Sequence, residues 1–242
     1  MAEPASPHPE ETRRAKAGTE QRGVVSEALR AGPPASGRPW WWLPPATALL
    51  AAATLAVSAF SWGLEAFSPP WGATLRLWLW NDPRLVVERG WLWQLLSANF
   101  VHSGVLHLGV NLLLLAWFGP RLEERLGRGH FARFYLGAGV FAASLYDAWA
   151  LLSGGGLAVG GASACALAVA ALHALCFPRR LVHLYGFIRV PLWAIVLLFV
   201  VSDVSWLLSS GGMPWVNSVA HLGGVAFAAG YWYFYGLGAQ PR

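Results

Sequence analysis

Charge is what this sequence has least of. Of 242 residues only 29 are Lys, Arg, Asp or Glu, 12% of the chain, against 56% hydrophobic and 14% aromatic residues. A water-soluble domain carries about a quarter of its residues charged, so the shortage excludes one and points to lipid as the solvent. Cysteine is almost missing too. Cys165 and Cys176 are the only two, and on one predicted helix they stand about 16 Å apart at 1.5 Å per residue. That spacing excludes a disulfide between them, and two thiols give no cysteine framework or metal site. Inverted repeats and runs of pore-lining polar residues are also lacking, which argues against a small transporter or channel.

The charge that is present is unevenly placed. Eleven of the 29 charged residues fall in the first 38 positions, no charge lies between residues 38 and 65, Asp147 is alone between residues 133 and 179, and Asp203 is alone between residues 189 and 242. A hydrocarbon core about 30 Å thick needs roughly 20 apolar helical residues, so the long tracts must be divided. Backbone-permissive clusters divide them at residues 153–161, SGGGLAVGG, and at residues 209–218, SSGGMPWVNS. Six spans are expected near residues 43–64, 102–120, 131–152, 159–177, 190–208 and 217–236, an all-α integral membrane bundle over residues 41–237. The flanks are a disordered cytoplasmic tail over residues 1–40, poor in large apolar side chains, and a short cytoplasmic tail over residues 238–242. The first apolar run starts too late and is too long for a signal peptide.

Lys and Arg concentrate in cytoplasmic loops. Arg121, Arg125, Arg128 and Arg133 follow the second span and Arg179, Arg180 and Arg189 the fourth, whereas the loops after the third and fifth have none. Both termini are therefore expected in the cytoplasm. The net charge of +5 and pI near 9.7 reflect these loops rather than a nucleic-acid partner. Residues 65–89 are the exception, with Arg76, Arg84 and Arg89 mixed with acids. Trp71, Trp78, Trp80, Trp91 and Trp93 suit a segment lying in the membrane interface, ring in lipid and N–H in water.

Polar groups at lipid depth are costly and mark packing or functional sites. The spans hold His102, His107, Asn111, Asp147, Ser163, His173, Asp203 and His221. Alternate spans run inward from the outer face, so His107, Ser163 and His221, each near the start of its span, share one depth. A serine hydroxyl becomes a nucleophile when a neutral imidazole takes its proton, and Ser163 with His221 supply both groups. They meet only if the fourth and sixth spans approach closely. Small residues four apart allow that: Gly160, Ala164 and Ala168, then Ala162, Ala166, Ala170 and Ala174, and on the sixth span Ala220, Gly224 and Ala228. His107 and Asn111, at i and i+4, share a helix face and can donate to an oxyanion, with the Ser163 backbone N–H as a third donor. His102 is read as a structural residue nearer the surface, and His173 and His183 as residues of the inner side and its loops. Asp147 or Asp203 is left open as an orienting acid for His221; a hydrogen bond across helices is the commoner fate of such acids.

These residues resemble the rhomboid intramembrane proteases over residues 42–236. HSGVLHLGVN over residues 102–111 looks like the family's second-span pattern, with His107 and Asn111 lining the oxyanion site. GAS over residues 161–163, including Gly161, looks like its nucleophile motif, and AHLGG over residues 220–224 like its base motif with Gly224 for close packing. Glu123 and Arg125, within PRLEERLG, match a structural loop motif after the second span. The resemblance implies a six-transmembrane-helix rhomboid-like bundle that cuts transmembrane substrates near the outer face with a serine–histidine dyad and no cofactor or metal. It also implies sideways substrate access between the second and fifth spans. A bacterial plasma membrane is the expected location; the oligomeric state is open. Ala164 stands where the family usually has Gly, Leu167 where many members have a Tyr that stacks on the catalytic His, and Ala228 where many have Gly. The alternative reading is an inactive rhomboid-like protein that binds transmembrane partners.

Overall fold

The structure, a computed structural model, describes residues 43–154, 156–184, 187–210 and 218–235. The expected tails over residues 1–40 and 238–242, and most of the break at residues 209–218, lie outside the described residues.

The described residues are mostly helical. Helix α1 (Pro45–Phe67) is followed by three short helices, α2 (Pro69–Leu79), α3 (Pro83–Arg89) and α4 (Gln94–Ser97), then by α5 (Val105–Leu126) and α6 (Arg128–Leu152). After α7 (Ser163–Cys176) comes an antiparallel hairpin, β1 (Leu181–Leu184) paired with β2 (Ile188–Pro191), and then α8 (Leu192–Ser210) and α9 (Ser218–Phe234). Among the described residues, α1, α5, α6 and α8 are long and apolar enough to cross a membrane by length and composition. Helix α7 is a shorter apolar helix of 14 residues, about 21 Å long at 1.5 Å per residue, and α9 has 17 residues.

Proline starts several of these helices. Pro45, Pro69 and Pro83 occupy first-turn positions, where the missing N–H would have had no acceptor. The N–H groups of Ala46 and Thr47 at the start of α1 are capped from another helix: Glu123 accepts them at 2.9 and 2.7 Å, and the Thr47 hydroxyl at 2.8 Å. A carboxylate suits the positive end of a helix dipole, so Glu123 ties the first span to the second at the level of the turn between α5 and α6. This corrects the expected loop position of Glu123 and Arg125, because α5 continues past Pro120 to Leu126 and both residues are helical and buried. Arg125 lies over the Phe177 ring at 4.4 Å. Only Gly127, at φ 75°, separates α5 from α6.

Helix α7 is the hub. Ala, Val, Leu and Cys occupy nearly all its positions, and every residue from Ala164 through Ala174 is buried. A helix apolar all round belongs in the interior, and α7 packs against α5, α6, α8 and α9. Its tightest neighbour is α9, as the small-residue stripes require. A Cβ at Gly224 would lie 3.0 Å from the Ala164 carbonyl carbon and press on its oxygen. Among the described residues, α8 packs against α7 and α9 and has no comparable packing against α5.

The segment between α1 and α5 is irregular and needs its polar backbone satisfied locally, since unpaired groups at membrane depth cost several kcal/mol each. Buried and half-buried side chains do this. Gln94 donates to Leu77 O at 2.7 Å and accepts from Asp82 N at 3.0 Å, Ser97 donates to Leu79 O at 2.9 Å, and Trp62 donates to His102 O at 2.8 Å. Trp78, Trp91 and Trp93 stack on one another with centroids 5.0–5.4 Å apart. Trp78 and Trp93 keep part of their rings exposed, the pose expected of interfacial indoles.

Candidate active site

The fourth span was expected to begin near residue 159, but α7 starts at Ser163 itself. The preceding residues are held extended. Val159 and Asn81 exchange backbone hydrogen bonds at 2.9 Å in both directions, and Gly161 N donates to Ala98 O at 2.9 Å. These contacts replace helical ones and bring the loop before Ser163 against the α2–α4 segment. Gly161 has φ 143°, and a Cβ there would meet the His107 ring at 2.6 Å. Glycine is required at this position both by its backbone and by the ring beside it.

Ser163 stands at the first turn of α7 and points to α9, where His221 Nε2 lies 2.8 Å from its Oγ. The close packing of Gly224 on Ala164 sets that distance, one residue after the serine and three after the histidine. Both side chains are partly buried and line a cavity of about 550 Å³, together with His107, Asn111, Leu167 and Phe199. The three residues expected at one depth, His107, Ser163 and His221, line one cavity, and Asn111 lines it with them. The N–H groups in the first turn of a helix lack intrahelical acceptors, so the backbone around Ser163 offers donors beside those side chains.

His102, read from the sequence as a structural residue, holds segments of the chain together. It is buried, and its ring joins three segments. Nε2 accepts from Asn111 Nδ2 at 2.9 Å and from the Ala162 backbone N–H at 3.1 Å. With two donors converging on Nε2, the hydrogen must sit on Nδ1, which faces Ser58 Oγ at 3.0 Å; that hydroxyl in turn donates to Phe100 O at 3.0 Å. The chain of bonds fixes a neutral imidazole and the orientation of the Asn111 amide. Asn111 keeps a second N–H, and it lines the cavity. His107 packs edge-on to His102 at 4.9 Å and has Nδ1 3.2 Å from Ser103 Oγ. The sequence signal for His102 was its place in an apolar tract nine residues before Asn111; nothing in that spacing pointed to Ala162.

The two membrane-depth acids part company. Asp147 Oδ1 accepts from Asn81 Nδ2 at 2.5 Å, a link from α6 to the α2–α4 segment away from His221. Asp203, on α8, has its carboxylate oxygens 3.2 and 3.3 Å from His221 Nδ1. The bare pair implied by the resemblance is therefore accompanied by a carboxylate in this chain. His173 is buried between Phe118 and Phe177, and His183 lies on β1; neither lines the cavity.

A helical bundle with apolar spans and a serine–imidazole pair lining a cavity defines a class, the helical membrane proteins with a polar site at lipid depth. Comparison with known proteins narrows it. The Rhomboid domain family model matches residues 89–240, and the chain belongs to the rhomboid family. It is 32% identical over 150 residues to RHOMBOID-like protein 4 of Arabidopsis thaliana, covering 62% of this chain and 35% of that protein. It is 35% identical over 66 residues to the putative rhomboid protease YdcA of Bacillus subtilis, covering 26% and 33%. It is 28% identical over 126 residues to rhomboid-type serine protease 2 of Emericella nidulans, covering 52% and 23%. The chain thus spans about a third or less of the length of these relatives. Family and apolar helices together make it an integral membrane protein.

Proposed function

We propose that this chain is an intramembrane serine endopeptidase that cuts transmembrane segments of other membrane proteins near the outer face. The observation that carries this reading is the 2.8 Å approach of His221 Nε2 to Ser163 Oγ inside the cavity. Two relatives bear the names of rhomboid proteases.

In the proposed reaction Ser163 Oγ attacks a substrate carbonyl while its proton passes to His221 Nε2. The oxyanion that forms is met by Asn111 Nδ2, His107 and the N–H groups at the start of α7. His221 then gives its proton to the leaving amine, and a water activated by the same nitrogen hydrolyses the acyl-enzyme, restoring both groups. Substrate access between α5 and α8 is supported by the lack of close packing there, with Val110 and Leu114 on one side of the cavity and Phe199 on the other. The arginines after the second and fourth spans support cytoplasmic termini and an outward-facing site.

The test is cleavage of a reporter transmembrane segment by the purified full chain in proteoliposomes. Wild type cuts and labels with a fluorophosphonate at Ser163, and Ser163→Ala does neither. A folded wild type that neither cuts nor labels would favour the inactive partner-binding reading.

A further inference from the structure

Helix α8 is the most apolar of the spans, with mean hydropathy 2.1 and little of it buried, yet it carries one carboxylate near its middle. An acid at membrane depth needs a partner that outweighs the loss of water. The Asp203 side chain is 5% exposed, and both its oxygens face the ring of a residue from another helix, His221. His221 itself is 19% exposed, so the two groups meet where water is scarce.

We infer that Asp203 is a positioning residue for His221: it holds the imidazole as the Nδ1–H tautomer, with Nε2 bare and aimed at Ser163. This inference rests on the protease reading above and deepens it. An imidazole has two nitrogens and, when neutral, one hydrogen. If that hydrogen sat on Nε2, the ring would face Ser163 as a donor and could not take its proton. A carboxylate at Nδ1 accepts only, so it selects the productive tautomer, and it lies next to the positive charge that His221 acquires when the serine proton arrives. Leu167, which lines the same cavity, has neither ring nor polar atom with which to orient an imidazole. The 3.2 and 3.3 Å distances are longer than the ordinary length of a charge-assisted bond. Asp203 also ties α8 to α9 beside the opening proposed for substrate.

Asp203→Asn separates positioning from packing, because a neutral amide of the same shape can still bridge α8 and α9. The full chain in proteoliposomes is compared as wild type, Asp203→Asn and Ser163→Ala, with kcat and KM measured on the reporter segment. ¹⁵N-histidine spectroscopy of the wild type reads the His221 tautomer directly. We expect Asp203→Asn to keep its Tm and KM and lose kcat by roughly 10²–10⁴-fold, and the wild-type His221 to carry its hydrogen on Nδ1. Ser163→Ala inactive with Asp203→Asn at full kcat overturns the positioning role and leaves the dyad intact. Ser163→Ala still active overturns the protease reading on which the role depends. If Asp203→Asn fails to fold, the wild-type spectrum decides: Nδ1–H supports the inference and Nε2–H overturns it.

Discussion

Adding one methyl group at Gly224 should disable the site from the far side of the contact that builds it. A Cβ there would lie 3.0 Å from the Ala164 carbonyl carbon, 3.2 Å from its Cα, and well inside contact distance of the carbonyl oxygen. These are backbone atoms of α7 and cannot turn away as a side chain would. Restoring an ordinary carbon–oxygen contact of about 3.3 Å requires α9 to retreat by roughly 1 Å. Ser163 adjoins Ala164 and His221 lies three residues before Gly224, so the retreat passes straight to the Ser163–His221 pair. Its 2.8 Å separation would grow to roughly 3.8 Å, too long for a hydrogen bond. A displacement of that size costs about a hundredfold in rate, and the overpacking about 1–3 kcal/mol in stability. Gly230→Ala is the control, since a Cβ at that position on the same helix meets nothing within 4 Å, and alanine there should leave cleavage unchanged with Tm equal or higher. The assay is reporter cleavage and fluorophosphonate labelling of Gly224→Ala, Gly230→Ala and wild type, with Tm measured on each. Wild-type rates and Tm in Gly224→Ala would refute the reasoning.

Asn111→Ala should lower kcat about a hundredfold or more with little change in KM, as the loss of one oxyanion donor does; steady-state kinetics on the reporter segment checks it. His102→Ala removes the acceptor for both Asn111 and the Ala162 N–H and should lower Tm and kcat together, whereas Ser103→Ala, outside that chain of bonds, should leave Tm unchanged. Glu123→Gln removes the charge that caps α1 and should cost about 2–3 kcal/mol, seen as a lower Tm in detergent, with residual activity per folded molecule unchanged.

Much of the architecture was legible because lipid imposes a simple rule on sequence. The tracts at residues 38–65, 133–179 and 189–242, with no charge inside the first and one acid inside each of the others, read as membrane-spanning, and the alanine and glycine stripes of α7 and α9 marked the one contact that must be close. That contact is what brings Ser163 and His221 together. Boundaries were less legible where tertiary contacts override local preference. Pro120 reads as a stop, yet α5 runs on to Leu126 because Glu123 is held by the start of α1. Glycines at 160 and 161 sit outside α7 because Val159 pairs with Asn81 from a distant segment. The short helices α2 to α4 depend on Gln94 and Ser97 reaching backbone carbonyls, a pattern with no periodicity to read. Asp203 was visible as the lone charge in its tract; which way it pointed depended on how α8 rests against α9.

In the proposed reaction Ser163 is the nucleophile and His221 its base. Mass-spectrometric mapping of fluorophosphonate adducts on the full chain in proteoliposomes tests it most directly, run beside reporter cleavage. The expected result is a single adduct on Ser163, formed by wild type in step with loss of cleavage and absent in His221→Ala. An adduct elsewhere, or undiminished labelling and cleavage in His221→Ala, would contradict it.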